Sequence, residues 1–144
     1  MTNQGQFVSY PIRGAQFRPP ASGLLSVLGS GSALLVRREP DNPYDPNALQ
    51  VLVRCEELEK LPEEQLQAAV EGFGFSSAEV LGEELIDRGR VRAERPVTEW
   101  HLGYIPRVEA LQLASHFDAS GVKEIPASFI FDLSGRPAVA FVVP

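Results

Sequence analysis

Cysteine is almost missing: Cys55 stands alone in 144 residues, which excludes an internal disulfide and suggests a small half-buried strand residue. Histidine is nearly as scarce. His101 and His116 are far apart, and no CxxC or HxxxH spacing offers a zinc set, so the sequence predicts no metal and no cofactor. No apolar run is long enough to span a bilayer, and neither a Lys/Arg-led leader nor a lipidation signal is visible; the expectation is a cytoplasmic protein with no membrane partner. Catalytic signatures are weak as well. "GSGS" at Gly29 to Ser32 lacks the third glycine of a dinucleotide loop and the Gly-Lys of a phosphate loop, and it does not spell the GxSxG elbow. Glu39, Asp41 and Asp45 could gather a hard cation, but a two-metal site needs further acids that the sequence does not place beside them. The chain is not expected to be an enzyme.

Positive charge is present but unusual in kind: eleven arginines and two lysines against nineteen acids, for a net charge of -6. Such a balance argues against nonspecific nucleic-acid binding, which draws on clustered bases. The acids, however, are concentrated. Ten of them (Glu56, Glu57, Glu59, Glu63, Glu64, Glu71, Glu79, Glu83, Glu84 and Asp87) sit in one stretch with a single base, Lys60. The remainder holds twelve bases and nine acids, so a mildly basic body carries an acidic appendage. Arginine forks onto phosphates and stacks on bases.

The periodicity divides the chain in the same way. "FVSYPIRGAQF" contains β-formers broken by Pro11 and Gly14, as in a bent edge strand, and "PPASGLLSVLG" has room for a turn or two of helix. "SALLVRRE" and "ALQVLVRC" read as two strands joined by a Pro/Asn/Asp turn. From Glu56 the pattern becomes helical. Pro62 suits a first helical position, and Ser76 with Glu79 has capping-box spacing, so a helical hairpin is expected. "RVRAERPV" and "EWHLGYI" resume the β pattern. Pro106 then opens an amphipathic helix with Val108, Leu111, Ala114 and Phe117 inward, and "SGRP" turns a final hairpin between "KEIPASFIFDL" and "PAVAFVV". With 44% hydrophobic residues, the whole of 1–144 is expected to form one domain. The predicted class is mainly β with helices (α+β): a small OB-like or SH3-like β-barrel of about six strands with one internal helix. The acidic helical hairpin is an insertion at about residues 56–98.

"REPDNPYDPNAL", Arg38 to Leu49, is the most distinctive stretch. Asn42-Pro43 and Asp45-Pro46 are strong turn formers, and Asp41 and Asn47 can bond their own backbone, so the motif could serve as structure alone. It also holds a ring and a carboxylate side by side. Tyr44 offers a face on which any base can stack. Asp45 repels phosphate yet accepts a hydrogen bond from a hydroxyl, which favours a strand end carrying OH.

"LVRREPDNPYDPNALQV", followed by "LGYIPRVEALQLA", resembles the HIRAN domain family in its stand-alone bacterial form. The resemblance runs from Phe7 to Val53 and from Glu99 to about Val143, and the stretch between them departs from the family. It implies an OB-like barrel that binds single-stranded DNA and captures its free 3′-hydroxyl end in the context of DNA repair. The candidate DNA-binding residues are Phe17, Arg18, Arg37, Arg38, Asn42, Tyr44, Asp45, Tyr104 and Arg107. Phe17 falls where the family has an aromatic platform, whereas Gln16 replaces the preceding family arginine and Arg18 follows as a substitute. Tyr104 and Arg107 match the family's strand-to-helix junction, where helix-start N–H groups can receive a phosphate. Arg37 and Arg38 are candidate backbone contacts. The competing expectation is an adaptor without DNA binding, whose acidic insert docks a helicase, a nuclease or another repair protein.

Overall fold

The computed structural model describes residues 3–15, 19–58, 60–62, 64–65 and 99–144, with the backbone alone at 19–22 and 55. Six strands are assigned: β1 (Phe7–Pro11), β2 (Ala33–Arg38), β3 (Leu49–Arg54), β4 (Glu99–Tyr104), β5 (Glu124–Phe131) and β6 (Pro137–Val142). They form one sheet in the order β1-β6-β5-β2-β3-β4, and every ladder is antiparallel. Three helices are described: α1 (Pro19–Val27), α2 (Cys55–Leu58) and α3 (Arg107–Ser120). The class is α+β, mainly antiparallel sheet.

Alternation drives the sheet. In β3, Leu49, Val51 and Val53 face one side and are fully buried, and Leu34 and Val36 of β2 and Phe129 of β5 join them in the same core. Asp132 shapes the β5–β6 turn, because its Oδ1 accepts from the N–H groups of Ser134 (2.8 Å) and Arg136 (3.0 Å). Gly135, at φ 82°, takes the left-handed position there.

The barrel expected from the sequence does not close. Among the described residues, one bridge joins the two edges of the sheet: Arg13, just beyond β1, exchanges N–H···O bonds of 2.8 Å in both directions with Tyr104 at the end of β4. Pro11 has no N–H to extend a ladder, and Gly14 turns the chain away at φ 87°, so the edges part after that single pairing.

The helices also refine the sequence reading. The α1 helix runs nine residues, longer than its glycine content suggested, with Pro19 and Pro20 at the start, where a missing N–H costs little, and Leu24 and Leu25 in the core. Cys55 begins α2 and is not part of a strand. In α3 the buried residues are Ala110, Leu113, Ala114 and Phe117, whereas Val108 and Leu111 are exposed. The expected series 108, 111, 114, 117 steps by three, and each step falls back by about 60° around a helix of 3.6 residues per turn. Steps of three and four are needed to hold one face. The helix stops at Gly121, φ 72°, whose N–H bonds to Asp118 O. The remaining expected helices of the insert and the strand at 90–97 lie outside the described residues. No helix among the described residues is long and apolar enough to cross a membrane.

Candidate functional site

The loop between β2 and β3 is built by its own side chains. Asn42 Oδ1 accepts from the N–H groups of both Tyr44 (2.9 Å) and Asp45 (3.0 Å), and Asp45 Oδ1 accepts from Asn47 N–H (2.9 Å). Backbone bonds from Asn42 N to Glu39 O (3.2 Å), Ala48 N to Asp45 O (3.1 Å) and Glu39 N to Ala48 O (3.0 Å) complete it. Pro43 and Pro46 leave no donor to satisfy. A loop held this firmly by polar contacts has no need of the tyrosine ring for packing, and Tyr44 is 87% exposed.

The facing wall comes from the end of β4 and the start of α3. Tyr104 Oη donates to Glu39 Oε1 at 3.2 Å, the same oxygen that accepts from Asn42 Nδ2 at 2.6 Å. Asn42 Nδ2 also reaches Tyr104 Oη at 3.3 Å, and the His101 ring meets Tyr104 edge-on at 4.7 Å between centroids. Arg107, in the first turn of α3, reaches back to the loop: its Nη2 donates to Tyr44 O at 3.4 Å, and its Nε lies 3.7 Å from Asp45 Oδ2. Between these walls is an open cavity of about 450 Å³, within the range of ligand pockets. Arg13 and Gly14 line its third side.

The structure therefore brings together Asn42, Tyr44, Asp45, Tyr104 and Arg107 from the residues singled out in the sequence. Arg37 and Arg38 do not line this cavity. Arg37 is bonded to both carboxylate oxygens of Glu99, the Nη2–Oε2 contact being 2.8 Å, and through Nε to Glu124 at 2.9 Å. Arg38 pairs with Asp118 (3.1 Å) and donates to Pro46 O. Both guanidinium groups are engaged within the protein. Phe17 and Arg18, with Gln16, lie outside the described residues.

Two cavity residues carry little site signal in the sequence. By sequence Glu39 is only a weak metal-site neighbour, yet it is the acid on which Asn42 and Tyr104 converge. Arg13 was read as part of a strand, although its side chain makes no ion pair among the described residues and it lines the cavity. Its position in "IRGA", directly before the glycine that ends the edge strand, was the available signal. No group of His, Cys, Asp and Glu suited to a metal ion occurs among the described residues.

Away from the cavity, the Arg37 guanidinium holds the Glu99 carboxyl below the usual carboxylate range, and the two glutamates raise Arg37 above its ordinary value. The Ala33 N–H, aided by Lys60, lowers Glu57 in the same way. Compared with protein-family models, curated proteins and solved structures, the chain gives no match.

Proposed function

We propose that this chain is a HIRAN-type module that binds single-stranded DNA at a free 3′-hydroxyl end without catalysing a reaction. The observation that carries the reading is the composition of this cavity: an exposed ring (Tyr44), two carboxylates (Glu39 and Asp45) and two arginines (Arg13 and Arg107) meet there. A base stacks on Tyr44 at any sequence. The arginines take the phosphates that precede the terminal nucleotide, with the first-turn N–H groups of α3 beside them. The carboxylates suit a hydroxyl and repel a terminal phosphate. Asp45 uses one oxygen on its own loop and keeps Oδ2 toward Arg107, so one acceptor remains for the ligand.

The test is a titration at low salt with a labelled single-stranded oligonucleotide ending in 3′-hydroxyl or in 3′-phosphate, with the 5′ end free or blocked. The reading expects the hydroxyl end to bind at least about tenfold more tightly, as befits a hydrogen bond to a charged acceptor, and the 5′ end to have no effect. Equal binding of both 3′ ends, or no binding, would leave the acidic stretch at about residues 56–98 as the feature to pursue, with a repair protein as its partner.

A further inference from the structure

We infer that the preferred terminal nucleotide is a ribonucleotide: the cavity takes the cis-2′,3′-diol of a terminal ribose at the 3′ end of a strand. This rests on the end-binding reading above. Glu39 is held in one orientation. Its Oε1 is fixed by two donors, Asn42 Nδ2 and Tyr104 Oη, and its Oε2 accepts no hydrogen bond among the described residues. Asp45 is placed alike: Oδ1 is fixed by Asn47 N–H, and Oδ2 stands 3.7 Å from Arg107 Nε, beyond hydrogen-bonding distance. Two carboxylates on one cavity thus each hold one oxygen in the loop and leave one to spare. Ionised carboxylates only accept, so the matching ligand group brings two donors and no negative charge of its own. A deoxyribose end has one hydroxyl, and a ribose end has two on adjacent carbons. Carboxylate recognition of ribose hydroxyls is established chemistry, and the 2′-hydroxyl is the group that distinguishes the two sugars.

A free nucleotide has the same diol as a strand end. The cavity favours the strand, because Arg13 and Arg107 flank it and a 5′-mononucleotide offers them one phosphate where a strand offers several.

The experiment uses the full chain and one DNA oligonucleotide whose last nucleotide alone is varied: 2′-deoxy, ribo, or 2′-O-methyl, which removes the donor but keeps a ribose-like ring. The ribo end is expected to bind about tenfold more tightly than the deoxy end, the 2′-O-methyl end no more tightly than the deoxy end, and adenosine 5′-monophosphate to compete at least about tenfold more weakly than the ribo oligonucleotide. Glu39→Gln supplies the second readout. Asn42 and Tyr104 both donate to Oε1, so the amide oxygen must stay there and the NH₂ must replace Oε2, turning an acceptor toward the ligand into a donor. This variant is expected to bind ribo and deoxy ends equally, with a smaller preference for 3′-hydroxyl over 3′-phosphate because Asp45 alone is left to repel the phosphate. Equal binding of ribo and deoxy ends by the unaltered protein, a ribo preference that survives Glu39→Gln, or equal competition by the mononucleotide would overturn the inference while leaving DNA end capture in place. Failure to bind any oligonucleotide would remove both.

Discussion

Arg13 and Tyr104 exchange both backbone hydrogen bonds at 2.8 Å, and Gly103 makes the approach possible. A Cβ on residue 103 would lie 2.4 Å from Arg13 O and 2.8 Å from Ile12 Cγ2, so the two backbones meet only where a side chain is missing. The register shift between Val51 and Leu52 on the neighbouring strand adds the local bend.

Gly103→Ala should therefore separate the bridge. The expected cost is about 1–3 kcal/mol of stability, as for other insertions into close-packed positions, together with weakened ligand binding because Arg13 moves away from Tyr104. Urea unfolding and oligonucleotide titration of the same preparation check it. A variant as stable as the parent would show that the approach relaxes freely.

Cations already paired inside the protein should behave differently from an exposed one at the cavity. Arg107 is 78% exposed at its side chain, so Arg107→Ala should lower the dependence of binding on salt by about one counterion. Arg37→Ala should leave that slope unchanged, because Glu99 and Glu124 occupy the guanidinium. Tyr44→Ala should leave stability within about 0.5 kcal/mol, given the exposure of the ring, yet weaken binding by the roughly 1–3 kcal/mol of a stacked base. Salt-series titrations of the three variants separate these effects, and a changed slope for Arg37→Ala would contradict the assignment.

Acid should expose the Arg37–Glu99 pair. The folded pKa of Glu99 lies below its unfolded value, so its contribution is complete above the unfolded glutamate value of about 4.3 and fades as pH falls through the folded one. In that window the unfolded state binds more protons, and stability rises with pH. Both side chains are partly exposed, which limits the contribution to about 1 kcal/mol at most. Glu99→Gln should be less stable than the parent near neutrality and converge with it as the pH falls through and below the unfolded glutamate value. Chemical denaturation at a series of pH values checks the convergence; a constant difference would place the effect in packing.

Much of this arrangement could be read from local chemistry. Asn42, Pro43, Asp45 and Pro46 announce a turn whose bonds span two or three residues, and the structure forms those bonds. The apolar, β-branched run in "ALQVLVRC" likewise marks β3, which is buried from Val51 to Val53. What could not be read depends on distance along the chain. Arg37 finds Glu99 and Glu124, and Arg38 finds Asp118, only through β2's pairing with β5 and the placement of β4 and α3. No local pattern distinguishes such an arginine from one free to meet a phosphate. Glu39 became a site residue for the same reason, through Tyr104 at the far end of β4. The α3 face was misjudged for a different reason: Val108 and Leu111 are apolar by composition yet lie on the outer side of the helix.

The cavity's walls come from chain segments that meet only once the sheet is assembled: Arg13 before α1, the loop between β2 and β3, and Tyr104 to Arg107 from the end of β4 into α3. A chain that has paired β2 with β3 alone holds the ring and Asp45 but not Arg13, Tyr104 or Arg107. Such contacts pay loop-closure entropy before they reward the chain, so they are expected to follow the local pairing of β2 with β3. A ligand that needs all three segments thus has little to grip in the folding transition state, and it will act on the rate of unfolding. Saturating oligonucleotide should prolong the lifetime of the folded state while leaving the speed of folding nearly unchanged.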